Sequence, residues 1–204
     1  MGQYYRAVIE TNGKVKGFST YVDGEYMLAK LMEHSYWANP YVLAIASKFW
    51  RTKGRLAWVG DYADEDDFNW NPIFENAWNK EDNSWNKKDL VYNGFRLEGK
   101  YFINHSKKKF IDLDRYYKML ADTEQYFNPV SLLTAVGNGK GGGDFRGGTN
   151  EDLIGSWAWD VIEITDQDIY DYSYNADKRE WEESLKPEFA DYADVTDGCI
   201  FVED

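Results

Sequence analysis

Seven glycines fall within the twelve residues Gly137–Gly148, with Lys140, Asp144 and Arg146 among them. Glycine at this density lets backbone N–H groups approach a ligand closely, and two cationic side chains suit a phosphate or carboxylate. Gly137, Gly139, Gly142, Lys140, Asp144 and Arg146 therefore form a candidate loop for a nucleotide or another anionic small molecule. The pattern G-x-G-x-x-G occurs at Gly137, Gly139 and Gly142, but the dinucleotide fingerprint needs a helix directly after it, and the residues from Gly143 to Gly148 start a helix poorly. The phosphate-loop pattern fails as well, because Lys140 is followed by Gly141 where Ser or Thr belongs. The competing reading is a tightly turned surface loop with no ligand.

His34 and His105 are the only histidines. A histidine pair with a nearby lysine can cleave a phosphodiester by acid–base catalysis, since imidazole titrates near neutrality. With Asp144, these two are the weak catalytic candidates, and structural roles compete for both. No H-E-x-x-H spacing or cysteine cluster points to a metal. Asp61, Asp64, Asp66 and Asp67 could gather oxygens around a hard cation, yet lack the central Gly and terminal Glu of a calcium loop, so a solvated acidic loop is expected. There is no G-x-S-x-G nucleophile elbow. No pattern names a cofactor, and the chain does not declare itself an enzyme.

The fourth constellation is electrostatic. The formal charge is −13, but residues 1–150 net +1 while residues 151–204 carry 17 acidic groups against Lys178, Arg179 and Lys186. In that quarter Glu180, Glu182 and Glu183 interleave with rings such as Trp181, Tyr172 and Tyr174. Such a segment repels phosphate backbones, which excludes direct nucleic-acid binding through it. Carboxylates beside exposed rings can instead dock on a basic groove and speed the encounter with it. The leading expectation is thus a non-enzymatic acidic binding protein with a basic protein partner, for instance a phage or mobile-element inhibitor of a nucleic-acid-handling protein. The alternative is a nucleotide- or anion-binding or hydrolytic enzyme using the glycine-rich loop with His34 or His105. A solvated face that only confers solubility competes with both.

The segments Met1-Gly2-Gln3-Tyr4-Tyr5, Leu31-Met32-Glu33-His34-Ser35, Gly60-Asp61-Tyr62-Ala63-Asp64, Asn104-His105-Ser106-Lys107-Lys108 and the glycine run through Gly155-Ser156-Trp157-Ala158 resemble an uncharacterised group of bacterial and phage proteins. The resemblance spans most of the chain. It implies a bacterial or mobile-element origin and carries over no activity or functional residue.

The elements that must position these residues follow from periodicity. At 204 residues with 18% aromatics, one α+β domain with a ring-built core is expected, mainly an antiparallel sheet with two or three helices, a glycine-rich loop at 137–149 and an acidic quarter at 151–204. Tyr4 to Glu10 and Val15 to Tyr21 form a hairpin about Asn12-Gly13. The state of the segment from Glu25 to Tyr36 is left open. Asn39-Pro40 caps a helix closed by Gly54, followed by a buried strand to Gly60 and an acidic loop. Asn71-Pro72 opens a second helix. Leu90 to Leu97, Lys100 to Asn104 and Lys109 to Leu113 are strands, the last two joined near His105. Asp114 to Leu120 forms a helix, and Ser131 to Val136 a strand or buried connection. Ile154 to Ile164, Ile169 to Tyr174 and the tail from Gly198 to Val202 complete the strands. Cys199 is the single cysteine, no apolar run reaches membrane-spanning length, and the first residues lack a signal-peptide layout, so the expected location is the cytoplasm.

Overall fold

A computed structural model of the chain describes residues 2–18, 20–23, 25–27, 29–64, 77–78 and 90–202. The fold is α+β, built on an eight-stranded and mainly antiparallel sheet. β1 (Tyr5–Thr11) turns through Asn12 and Gly13, both at positive φ, into β2 (Lys14–Gly17). That backbone twist is what a two-residue antiparallel hairpin requires. β3 (Tyr21–Val22) and β4 (Glu25–Tyr26) make a small separate ladder, followed by α1 (Leu31–His34) and α2 (Pro40–Ala46). Asn39 caps α2 by accepting from Tyr41 and Val42 N–H, and a 3₁₀ turn, Ser47–Phe49, ends it.

β5 (Gly54–Gly60) is the central strand. Gly54, expected to close the helix, begins this strand. β1 lies along one edge, from Tyr5 opposite Gly60 to Thr11 opposite Gly54. The other edge is shared: β8 (Ala135–Val136) runs parallel to its end, and β9 (Val161–Thr165) antiparallel to its start. Beyond β9 come β6 (Tyr101–Asn104), β7 (Lys109–Asp112) and β12 (Ala193–Asp194), the last parallel to β7. Asp112 caps α3 (Leu113–Leu120), and Asn128-Pro129 opens α4 (Pro129–Leu133).

Strand alternation divides the core. Tyr5, Ala7, Ile9, Leu56, Trp58, Phe102 and Ile164 face the helices in the main cluster. Val8, Ala57, Val59, Val136 and Trp159 line the opposite face, and beside them Ile103 and Phe110 pack with Ile169, Tyr170, Leu185, Phe189 and Tyr192. Those last residues belong to the hairpin of β10 (Tyr170–Asn175) and β11 (Glu180–Leu185) and to the chain on either side of it.

Several expectations are corrected. Leu90 to Leu97 is irregular: its two leucines are buried, but no strand among the described residues pairs with it. Ile154 to Ile164 becomes a strand only at Val161, because Trp157 enters the helix-side core while Trp159, at positive φ, enters the cluster on the other face. The alternating tryptophans mark a chain crossing between faces. Asp197–Cys199 is a 3₁₀ turn, with only an isolated bridge from Val202 to Thr149 after it. Ser131 to Val136 divides between α4 and β8. The helix expected after Asn71-Pro72 lies outside the described residues apart from Ala77 and Trp78, which are helical. Among the described residues, no helix is long and apolar enough to cross a membrane, and no cluster of His, Cys, Asp and Glu could hold a metal ion.

Candidate functional site

The hairpin of β10 and β11 has two unlike faces. Paired residues of an antiparallel ladder share a face, as do residues two apart. Tyr170 opposite Leu185, Tyr172 opposite Glu183, and Tyr174 opposite Trp181 therefore line one side, while Asp171, Ser173, Asn175, Glu180, Glu182 and Ser184 line the other. At the base, Tyr170 and Leu185 pack on Ile103 and Phe110, and the Tyr170 ring lies edge-on to Tyr101 and Phe110 at about 6 Å. Further out the body of the protein stops. Tyr172, Tyr174 and Trp181 remain 56%, 53% and 71% exposed, with Tyr174 and Trp181 edge to face at 5.5 Å. Together they present on the order of 300–400 Å² of ring surface, the size of patch that is commonly functional on a monomer.

Several carboxylates elsewhere in the C-terminal quarter are ion-paired to the rest of the chain, and those of the hairpin are not. Asp160 pairs with Lys107 at 2.9 Å, Asp166 with Arg51 at 2.7 Å, Asp191 with Lys108, and Asp194 and Asp197 with Arg115 at 2.8 and 3.1 Å. These carboxylates fasten the quarter to cations of the first 150 residues. Within residues 170–185 five carboxylates meet only Lys178 and Arg179. Glu182 accepts from Lys178 and Asn175, whereas Asp171, Glu180 and Glu183 form no ion pair among the described residues.

The glycine segment is organised around a carboxylate of its own. Asp144 is buried, and its Oδ1 accepts from Gln3 Nε2 at 2.6 Å and from the Tyr5 hydroxyl at 2.7 Å. Its Oδ2 accepts from the backbone N–H of Gly139 at 3.1 Å and Gly141 at 2.8 Å, with Arg146 at 3.7 Å. Burial, and then the hydrogen bond to Asp144, push the Tyr5 hydroxyl well above the usual phenol range, so Tyr5 remains a donor. Gly137 sits at φ +88°, where a Cβ would lie 2.7 Å from Ala63 Cβ, and a Cβ on Gly141 would meet the Tyr62 ring at 2.6 Å. Glycine is needed at both for close approach. Lys140 reaches Asp64 at 3.3 Å, and Asp61 accepts from Tyr4 N–H. Asp66 and Asp67 lie outside the described residues.

His34 adjoins this loop through α1, whose Leu31 and Met32 N–H groups donate to Gly143 O. Its Nδ1 accepts from Lys30 N–H at 3.2 Å, and burial pulls its pKa below the ordinary imidazole range. His105 is elsewhere. Its backbone N–H donates to Val161 O, level with Arg55 at the start of β5, whereas the loop meets Tyr62 and Ala63 just past the strand's other end at Gly60. Five residues of strand separate the two levels, roughly 17 Å. The His105 ring nitrogens lie 2.9 Å from the Tyr192 hydroxyl and 2.9 Å from Glu163. This carboxylate–imidazole–phenol chain occupies both nitrogens and holds the segment after β11 on the sheet. Glu163 and Tyr192, 58 and 87 residues from His105, carry no sequence signal for it, and neither do Gln3 and Tyr5 for Asp144. In comparisons with known proteins, no family model, curated protein or solved structure matches the chain.

Proposed function

We propose that this is a binding protein that docks a basic polypeptide on the hairpin of β10 and β11, with Trp181, Tyr172 and Tyr174 as the apolar contact, Glu183 beside them on the same face, and Glu180 and Glu182 adding negative charge from the reverse face of the ladder. The observation that carries the reading is the exposed ring ladder on a hairpin with excess negative charge. Trp and Tyr dominate the energetics of protein interfaces, and complementary charge sets encounter rate and specificity. A nucleic-acid-handling protein, whose groove is basic and lined for stacking, is the kind of partner this surface suits. The anion-binding alternative has less support, since two amides that would hold a ligand in the glycine loop already donate to Asp144.

The test is fluorescence anisotropy with a labelled nona-arginine peptide. Affinity should fall steeply as salt rises from about 50 to 300 mM, and the triple variant Glu180→Lys, Glu182→Lys, Glu183→Lys should lose at least about tenfold in Kd. Binding that ignores salt, or is equal in the variant, would defeat the reading.

A further inference from the structure

A second concavity lies on the helix side of the sheet, away from the hairpin tip. It has a volume of about 270 Å³ and is lined by Leu153, Ser156, Trp157, Val195, Gly198 and Cys199, together with Lys107 and Lys109. Three unrelated parts of the chain build it: the start of β7, the turns between the 3₁₀ turn Glu151–Leu153 and Trp159, and the 3₁₀ turn Asp197–Cys199. Trp157 is fixed from behind by Phe102, ring centroids 4.8 Å apart, so this wall is rigid.

The two lysines differ. Lys107 is committed, to Asp160 at 2.9 Å and to Ser156 O. Lys109 has no carboxylate within ion-pair distance among the described residues. Its charge nonetheless reaches the pocket floor: burial pushes the Cys199 thiol up to about 11, and Lys109 is the group that opposes the rise. Cys199 is thus a neutral apolar surface, and the uncompensated cation beside it is Lys109.

We infer that this pocket binds a small monocarboxylate with an aromatic or short aliphatic body, the carboxylate on Lys109 and the body against Trp157, Leu153 and Val195. The volume, roughly that of nine waters, is below that of drug-sized sites and matches a small ring or short aliphatic body. A single ammonium suits one carboxylate, whereas a phosphate dianion calls for several donors. The inference is independent of the hairpin reading.

The probe is sodium phenylacetate, titrated into ¹⁵N-labelled protein while the Trp157 indole and Cys199 amide signals are followed. A saturable shift is expected with Kd on the order of millimolar, as its few atoms permit. Phenylacetamide, which has the same shape without the charge, should bind at least about tenfold more weakly, and Lys109→Met should abolish that difference. No saturable shift, equal binding of the amide or of inorganic phosphate by the native protein, or a preference for the carboxylate that survives in Lys109→Met would each overturn the assignment.

Discussion

Asp144 gathers four donors from two stretches of chain: Gln3 and Tyr5 from the first, and the amides of Gly139 and Gly141 from the second. An amide side chain at this position has one acceptor oxygen and two donors of its own, so Asp144→Asn leaves buried donors opposed. The expected cost is about 2–4 kcal/mol in urea denaturation, since each unsatisfied buried donor costs roughly 1–3 kcal/mol. Arg146→Ala should cost less than about 1 kcal/mol, because that side chain is half exposed and its pair is screened. Equal, small effects at both positions would contradict an internal role for Asp144. His34 supplies a pH test. Its folded pKa is depressed first by burial, and its Nδ1 must stay unprotonated to accept the Lys30 N–H. The unfolded chain therefore takes up this proton first as pH falls, so stability is intact above the ordinary imidazole range and declines below it. The urea midpoint should drop between about pH 7.5 and 5.5, and the drop should be smaller in His34→Gln; an identical drop would place its origin elsewhere.

At the scale of elements, what the sequence made legible was whatever had a local cause. Asn12-Gly13 could only turn one way, and Asn39-Pro40 both caps and pre-sets its helix. The same pair of residues at Asn128-Pro129 announces α4, yet the apolar run behind it reads equally as strand, because burial on all sides erases helical periodicity. Asn128→Ala should cost about 1 kcal/mol, since Asn128 accepts from Val130 N–H; no loss would mean that the cap is dispensable. β11 was illegible because Glu-Trp-Glu-Glu-Ser-Leu has few strand formers, and its pairing with β10 supplies what composition withholds. The candidate site divides in the same way. The rings and carboxylates of the hairpin were visible as composition, but which of them face outward depends on where β6 and β7 end beneath them. The partner of the glycine loop's amides was in plain sight as Asp144, and only its burial decides that it serves the loop from within.

At the scale of the molecule, the segregated charge has two uses. Arg51, Lys107, Lys108 and Arg115 of the first part pair with acidic residues of the last, fastening the C-terminal quarter over the sheet. Individually such surface pairs contribute about 0–1 kcal/mol, so they set register more than stability. Of the carboxylates that they leave over among the described residues, Asp171, Asp177, Glu180 and Glu183 lie on the hairpin, where the rings are also uncovered, and Glu151, Asp152, Asp168 and Glu188 lie elsewhere in the quarter. The most direct measurement of docking on the hairpin is the footprint of nona-arginine on the ¹⁵N-labelled protein. The account predicts chemical-shift changes at the Trp181 indole and along Tyr170–Leu185, with the amides of Gly139 and Gly141 unmoved; changes centred on the glycine loop, or spread evenly over the surface, would contradict it.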